Sequence, residues 1–138
     1  MKKNLKCLLT FGRACLILVL TMLGVNSACG QQNYENIDVK GFAELVADTN
    51  VVVLDVRTAS EFAEGHIQRA INIDCREDDF MEKAKATLPL DKVIAVYCRS
   101  GRRSAATAGI LGAQGYKMVN LTGGIIAWKE ARKHVVTK

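Results

Sequence analysis

The hydrophobic positions along the chain fall into short continuous runs, which are separated by segments with helical spacing. The runs over residues 51–54 (VVVL) and 93–97 (VIAVY) are rich in β-branched residues and lack polar alternation. Runs of this kind are typical of strands that are buried on both faces of a parallel sheet. Three shorter segments predict additional strands, the last of them at an edge: residues 70–73, 118–121 and 34–37.

Five segments between these runs predict helices. Asp38 and Thr58 can each cap a helix through a side-chain oxygen. The first helix runs to about residue 47, and the second covers residues 59–63 and is closed by Gly65. The other three helices are predicted over residues 80–88, 103–114 and 124–133. Strands and helices that alternate at this spacing predict an α/β fold with a doubly wound, mostly parallel central sheet of about five strands and helices on both faces.

The first 30 residues have a different pattern from the rest of the chain. Basic residues at the start precede an almost unbroken apolar run over residues 14–25, and small and polar residues follow over 26–28. This is the order of regions in a secretory signal. The apolar run is shorter than the roughly 20 residues that a membrane-spanning helix needs. We therefore predict a signal peptide over residues 1–30 and one domain over residues 31–138.

Cys29 adds a second possibility for the same segment. The sequence Ser27-Ala28-Cys29-Gly30 resembles a lipobox, in which the cysteine is lipidated and anchors the mature chain, although Asn26 stands where an aliphatic residue is usual. Cleavage after Gly30 is the alternative. Both routes predict an exported domain, either periplasmic or lipid-anchored at a bacterial membrane.

The charge of the chain belongs largely to this leader. The whole chain has 19 Lys and Arg against 14 Asp and Glu, a net charge of +5. Four of the basic residues and none of the acidic ones lie in residues 1–30, so that the predicted domain is close to neutral. We therefore expect no nucleic-acid partner, and contact with a membrane only through a lipid anchor.

Two of the five cysteines, Cys75 and Cys98, lie in the predicted domain. Two cysteines do not make a disulfide framework, and no pair of cysteine or histidine residues has the spacing of a metal site. Cys98 follows the strongest predicted central strand. Ligands of open parallel sheets bind beyond the carboxyl ends of the strands, and Cys98 is therefore a candidate reactive residue.

The segment over residues 98–104 (CRSGRRS) has the features of an anion cradle. Its backbone N–H groups and the N-terminus of the helix that follows can point at one place, and Gly101 allows a tight curl. Three arginines add positive charge nearby: Arg99, Arg102 and Arg103. We expect these surroundings to lower the pKa of Cys98 and to make it partly thiolate, the reactive form, without a separate general base.

This segment and two others resemble the motifs of the rhodanese family. Residues 98–104 resemble its active-site loop. Residues 54–73, with LDVR, EF, GHI and AINI, are similar to its N-terminal signature, and residues 121–128 (LTGGIIAW) resemble its C-terminal one. The match spans residues 34–132 with the motifs in family order. A single exported domain of this kind is similar to the small periplasmic rhodaneses.

The resemblance implies a sulfurtransferase that needs no cofactor. The Cys98 thiolate would take the outer sulfur of a donor such as thiosulfate as a persulfide and pass it to cyanide or a thiol. Backbone N–H groups of residues 99–103 would hold the persulfide anion, while Arg99 and Arg102 would meet the sulfonate of the donor. The implied substrate-binding residues are Arg99, Ser100, Gly101, Arg102, Arg103 and Ser104.

Three alternatives use the same loop. A non-catalytic rhodanese-like binding module usually lacks the cysteine, whereas a sulfur carrier that receives persulfide from a protein partner needs the same residues. A cysteine-dependent phosphatase or arsenate reductase is the third alternative. Phosphatases of this fold have Cys-x5-Arg, but Cys98 and Arg103 form Cys-x4-Arg, which predicts a cradle sized for sulfur.

Other polar residues have two interpretations each. Asp55, Arg57 and Glu61 either orient the loop arginines through ion pairs or form a structural set of salt bridges. Cys75 either resolves the Cys98 persulfide or is an inert buried thiol. His66, in a turn after Gly65, is interpreted as structural more readily than as a general base, and the Gly123-Gly124 pair as a tight turn between strand and helix.

Overall fold

The computed structural model describes residues 31–138; the predicted signal peptide and Cys29 lie outside the described residues. Five strands and five helices alternate along this part of the chain. In order they are β1 Tyr34–Ile37, α1 Val39–Ala47, β2 Val52–Asp55, α2 Ala59–Glu64, β3 Ile71–Asn72, α3 Phe80–Thr87, β4 Val93–Tyr97, α4 Arg102–Ala113, β5 Lys117–Leu121 and α5 Gly124–Glu130.

The strands form one parallel sheet in the order β1-β5-β4-β2-β3. Alternate residues of β4 enter two separate apolar clusters: Ile94 and Val96 pack with α3 and α4, while Ala95 and Tyr97 pack with α1 and α5. Both faces of β4 are therefore covered, which explains why its sequence is a continuous apolar run. The predicted α/β fold, with its parallel sheet between two layers of helices, is confirmed.

The predicted helix starts are found where the side chains can accept backbone hydrogen bonds. The Asp38 carboxylate accepts from the Gly41 N–H at 2.8 Å at the start of α1. Thr58 caps α2 in a capping box with Glu61, in which each side chain accepts from the other residue's backbone N–H. These caps fix where α1 and α2 begin beside the strands that they follow.

Two predicted elements are shorter in the structure. The strand expected over residues 70–73 is reduced to Ile71–Asn72. The last helix was expected to reach residue 133 but ends at Glu130. The reason is that Arg132 has a left-handed backbone, with φ 55°, and that the Trp128 indole N–H donates to the His134 carbonyl at 2.9 Å, which turns the chain back.

Candidate active site

Cys98 lies directly after β4 and is 0% exposed. It belongs to the apolar cluster on the α4 side of the sheet, and α4 itself begins at Arg102. Residues 98–104, which we call the Cys98 loop, therefore join the central strand to a helix N-terminus with little free chain. Gly101 makes this possible because its φ is 92°, a left-handed conformation that side chains disfavour.

Hydrogen bonds surround the Cys98 sulfur. The Gly101 N–H donates to Sγ at 3.1 Å, and the Ser104 hydroxyl donates to it at 3.4 Å. Burial raises the pKa of the Cys98 thiol, but hydrogen bonds from Ser104, Gly101 and Ser100 outweigh burial and bring the pKa below its ordinary value. The direction expected from the sequence is found. The backbone N–H groups of the loop contribute as expected, and the Ser104 hydroxyl contributes most to the lowering. The arginines, which were also expected to lower the pKa, are not among the main contributions.

The carbonyl groups of the Cys98 loop are held from the opposite side by α5. The Ile125 N–H donates to the Cys98 carbonyl at 2.9 Å and the Ile126 N–H donates to the Arg99 carbonyl at 3.2 Å. A Cβ on Gly124 would lie 2.4 Å from the Arg99 oxygen and 2.6 Å from the Cys98 oxygen. Gly124 therefore allows α5 to approach the loop backbone and to fix the carbonyls away from the sulfur.

Sequence reasoning did not predict this contact. It interpreted Gly123-Gly124 as a tight turn, and the sequence signal that could have revealed more is the pair of glycines itself. One glycine is enough for a turn, whereas two in succession suggest that another backbone passes close by. The contact also depends on β5 lying next to β4, so that the ends of both strands open onto the same edge of the sheet.

The three loop arginines have different surroundings. Arg103 forms a two-pronged ion pair with Glu61 of α2, through contacts of 3.0 Å and 2.8 Å. Its guanidinium is thus directed to α2 and is not free to bind a donor alone. Arg99 and Arg102 are exposed, and neither takes part in an ion pair within residues 31–138. Of these two, Arg99 lines the cleft described below, and Arg102 does not.

Of the three residues that were expected either to orient the loop arginines or to form structural salt bridges, one does the first and two do the second. Glu61 does orient a loop arginine. Asp55 and Arg57 instead pair with each other at 2.6 Å, both buried, and the Arg57 guanidinium also donates to the Gly65 carbonyl at 2.8 Å. This pair fixes the connection between β2 and the residue after α2, so it is a structural salt bridge. It makes no ion pair with a loop arginine.

The sequence of this region matches a known family. A sequence model described as a rhodanese-like domain matches residues 38–131, which contain the Cys98 loop and both segments that hold it. The chain belongs to the rhodanese-like domain family. The match covers most of the described residues and includes every strand except β1.

Relatives of this rhodanese-like domain have names that refer to sulfur transfer. The chain is 37% identical over 94 residues to a sulfurtransferase of Allochromatium vinosum, covering 67% of this chain and 85% of that protein. It is 41% identical over 90 residues to a putative sulfurtransferase of Bacillus subtilis, covering 65% of this chain and 84% of that one. The names of these relatives therefore support sulfur transfer as the general chemistry of this rhodanese-like domain.

Solved structures agree with the fold. A rhodanese-related protein from Thermoplasma volcanium superposes with a TM-score of 0.69 at 36% identity, covering 76% of this chain and 100% of that chain. A rhodanese-like domain protein from Staphylococcus aureus gives a TM-score of 0.65 at 27% identity, covering 75% and 98%. The five-stranded sheet is thus the family's architecture.

A cleft opens beside the Cys98 loop, between α2 and α5. We call it the Arg99 cleft; its volume is about 460 Å³. Its lining residues are Arg57, Glu61, Glu64, Arg99, Ile125, Ile126 and Lys129. Among residues 31–138, no group of three or more histidine, cysteine and acidic side chains is placed to hold a metal ion. The charged groups that line the cleft are two arginines, one lysine and two carboxylates.

Cys75 and Cys98 are not joined by a disulfide, and Cys75 packs against the apolar cluster that contains Cys98. The Val56 N–H donates to the Tyr97 carbonyl, and the Val56 carbonyl accepts from the Cys75 N–H, so that the β2 extension separates the two cysteines. Both thiols are free, and burial raises the pKa of Cys75. The structure therefore favours the inert interpretation of Cys75.

The contacts of His66 support its interpretation as a structural residue. Its Nδ1 lies 2.9 Å from the Phe62 carbonyl, and its ring stacks on the Phe62 ring with 3.7 Å between centroids. Its backbone forms a bridge with Val136 near the end of the chain. These contacts hold the C-terminal segment against α2, and His66 is not one of the residues that line the Arg99 cleft.

The Glu61–Arg103 pair makes stability depend on pH. The hydrogen bond from Arg103 lowers the pKa of Glu61 to about 2, against burial, which raises it. This stabilisation is fully present above the ordinary pKa of 4.5 and is lost as the pH falls towards 2. We expect Glu61→Gln, which keeps the oxygen that caps α2, to lower the free energy of unfolding by about 1 kcal/mol at pH 7.

Urea unfolding of both proteins from pH 7 down to pH 3 measures this. The difference between them should shrink below pH 4.5, because the Glu61 carboxylate of the unfolded chain binds a proton there, whereas that of the folded protein, with its pKa of about 2, stays charged. A difference that stays constant over this range would show that the charge of Glu61 does not stabilise the fold.

Proposed function

We propose that this protein is a sulfurtransferase that carries sulfur as a persulfide on Cys98, from thiosulfate or a similar anionic donor to cyanide or a thiol. The observation that carries the proposal is the hydrogen-bonded environment of the Cys98 sulfur, which lowers the pKa of a buried thiol. A thiolate is the reactive nucleophile in sulfur chemistry. The same donors would stabilise the anionic persulfide that follows.

The proposed reaction has two steps. The Cys98 thiolate attacks the outer sulfur of thiosulfate, a new S–S bond forms at Sγ, and the bond to the sulfonate sulfur breaks so that sulfite leaves with the electron pair. Cyanide then attacks the outer persulfide sulfur, the S–S bond breaks, and thiocyanate and the Cys98 thiolate are released. Both steps are nucleophilic displacements, and neither needs an added redox agent or a cofactor.

Intact-mass spectrometry of the purified protein tests this proposal. Thiosulfate should add the mass of one sulfur atom, and cyanide should then remove it. A protein that gains no sulfur from thiosulfate and forms no thiocyanate would contradict the proposed donor and intermediate.

The structure disfavours the phosphatase alternative. Phosphoryl transfer by a loop of this type needs an arginine directed at the phosphate, and Arg103 is instead paired with Glu61. The presence of Cys98, and the lowering of its pKa, disfavours a non-catalytic module. A sulfur carrier that is loaded by a protein would use the same persulfide, and it differs from the proposal only in its donor.

Arg99 is proposed to bind the donor, because it is exposed, free of ion pairs within the described chain, and lines the cleft. We expect Arg99→Ala to raise the KM for thiosulfate by about tenfold, the loss of one charge-assisted hydrogen bond. The free energy of unfolding should change by less than about 0.5 kcal/mol, as is usual for a surface substitution.

Arg76→Ala is the matched control for Arg99→Ala, since Arg76 is also exposed but does not line the Arg99 cleft. Steady-state kinetics and thermal unfolding of both variants give the comparison. An unchanged KM together with a large loss of stability in Arg99→Ala would assign Arg99 a structural role.

We also propose that the domain acts outside the cytoplasm, because residues 1–30 have the order of a secretory signal. No helix among residues 31–138 is long and apolar enough to cross a membrane. Cell fractionation with fatty-acid labelling distinguishes the two forms: a lipid on Cys29 indicates an anchored protein, and an unlabelled, shortened protein indicates a periplasmic one.

A further inference from the structure

Asn120 of β5 is a buried polar residue that has no part in the proposed reaction. It is 2% exposed. The residues paired with it on the neighbouring strands are Asn36 of β1 and Val96 of β4. Because β4 leads directly into Cys98, Asn120 lies beside the strand that carries the reactive thiol. Buried side-chain amides are normally hydrogen-bonded, and the partners of Asn120 therefore indicate what it does.

The amide nitrogen of Asn120 has two acceptors. It donates to Asn36 Oδ1 at 2.9 Å, and it donates a longer hydrogen bond, of 3.5 Å, to the Gly101 carbonyl. A carbonyl oxygen can only accept, so it is the nitrogen end of the amide that faces the Cys98 loop. The short bond to Asn36 orients the amide, which leaves the second N–H directed at Gly101.

Gly101 links this amide to the reactive sulfur. Its N–H donates to Cys98 Sγ at 3.1 Å, while its carbonyl accepts from Asn120. Gly101 also lies against the end of β5, since a Cβ on it would be only 3.1 Å from the Leu121 oxygen. A shift of the Gly101 carbonyl therefore moves the N–H of the same residue relative to the sulfur.

The amide oxygen of Asn120 is buried and has no hydrogen-bond partner among the described residues. A buried acceptor without a donor destabilises a fold. Leucine has nearly the shape of asparagine and would remove this unpaired oxygen. The two acceptors would keep other partners, because Asn36 is exposed to water and the Gly101 carbonyl also accepts the Ala105 N–H at 3.1 Å. The stability of the fold therefore does not explain why this position holds an amide.

We propose that Asn120 is a positioning residue for sulfur transfer: its amide, oriented by Asn36, holds the Gly101 carbonyl and so keeps the Gly101 N–H directed at the Cys98 sulfur. The amide acts through Gly101 and makes no hydrogen bond to the sulfur itself. This inference rests on the Cys98 persulfide of the proposed function. It adds a path of hydrogen bonds from the edge strand β1 to the reactive sulfur.

Asn120→Leu tests this role. We expect the pKa of Cys98 to rise, because a less well-placed Gly101 N–H stabilises the thiolate less. The kcat with thiosulfate and cyanide should fall by about threefold to tenfold, the range for one neutral hydrogen bond. The KM for thiosulfate should stay unchanged, because Arg99 is not altered. The melting temperature should stay the same or rise, since the unpaired oxygen is gone.

Carbon NMR of protein with labelled cysteine measures the pKa of Cys98. The chemical shift of Cβ follows the ionisation of the thiol, and no reagent has to reach the buried sulfur. The signal is assigned by its absence in Cys98→Ser. Because this titration needs no substrate, it reports the positioning of the thiol separately from sulfur transfer.

Asn72→Leu is the matched control. The amide nitrogen of Asn72 also donates to two oxygens, the carbonyls of Asp55 and Arg57, at 3.1 Å and 2.8 Å, and neither belongs to the Cys98 loop. We expect this variant to lower the melting temperature, because two hydrogen bonds are lost and no unpaired oxygen is removed. The pKa of Cys98 and the kcat should equal those of the parent protein.

Asn36→Ala tests the same path from the surface, where a substitution does not endanger folding. Without the Asn36 oxygen the Asn120 amide is less well oriented, and the pKa of Cys98 should rise, by less than in Asn120→Leu. Asn36→Asp keeps an oxygen that accepts the Asn120 N–H, and it should restore the pKa of the parent protein in high salt, which screens the added charge.

An unchanged pKa of Cys98 in both Asn120→Leu and Asn36→Ala would overturn the inference, and so would equal rises in Asn120→Leu and Asn72→Leu. If cyanide turnover persists in the parent protein in that case, the proposed function stands and Asn120 is not a positioning residue. If the pKa rises as expected but the parent protein transfers no sulfur, Asn120 positions the thiol and the proposed function itself fails.

Discussion

We expect Cys98→Ser to abolish sulfur transfer completely while the protein remains folded. The serine oxygen can accept the same hydrogen bonds from the Gly101 N–H and Ser104, so the loop keeps its contacts. A hydroxyl, however, stays protonated at neutral pH and forms no stable bond to the sulfane sulfur. The free energy of unfolding should change by about 1 kcal/mol, since the side chains differ little in volume.

Mass spectrometry after thiosulfate treatment and an assay for thiocyanate measure this effect. Cys75→Ser is the control, because Cys75 is the other cysteine of the described chain and lies across β2 from the loop. The control should still take up one sulfur atom and release it to cyanide. If Cys98→Ser still takes up sulfur, or if Cys75→Ser no longer does, Cys98 is not the residue that carries the persulfide and the proposal is contradicted.

The parts of the fold that follow from local pattern were predicted well from sequence. The continuous apolar run of β4 indicates burial on both faces, and Asp38 and Thr58 mark the starts of α1 and α2 by their capping oxygens. The predicted end of α5, at residue 133, was wrong by three residues, because the helix ends at Glu130. It depends on a contact between Trp128 and the chain after the helix, which periodicity does not encode.

In the candidate site, too, the features that depend on neighbouring residues were predicted, and those that depend on distant residues were not. The position of Cys98 after the central strand and the left-handed Gly101 follow from neighbouring residues alone. The pairing of Arg103 with Glu61 joins residues that are 42 positions apart, and the sequence left open which carboxylate would do this. The backbone N–H donors around the thiol were predicted from the loop, whereas the expected contribution of the three arginines to its pKa is not among the main ones, and the Ser104 hydroxyl contributes most to the lowering.

The contact between α5 and the Cys98 loop leads to the second large effect, in Gly124→Ala. The new Cβ would lie 2.4 Å from the Arg99 oxygen and 2.6 Å from the Cys98 oxygen, and both of these are backbone atoms. Either α5 or the loop must then move by about 1 Å, and displacements of that size in an active site can cost about a hundredfold in rate. We expect a hundredfold loss of sulfur transfer and a loss of about 3 kcal/mol or more in the free energy of unfolding.

Gly115→Ala separates the two causes of this effect. Gly124 has a positive φ of 58°, and so does Gly115, with φ 94°, but a Cβ on Gly115 would meet nothing within 4 Å. This control therefore carries backbone strain, about 1–2 kcal/mol, without a collision. Its sulfur transfer should equal that of the parent protein at a temperature where both are folded.

Since the α5 N–H groups hold the loop carbonyls away from the sulfur, Gly124→Ala should also raise the pKa of Cys98, which the pH dependence of thiol alkylation measures. If Gly124→Ala and Gly115→Ala lose equal activity, strain alone explains both, and α5 has no part in shaping the cradle.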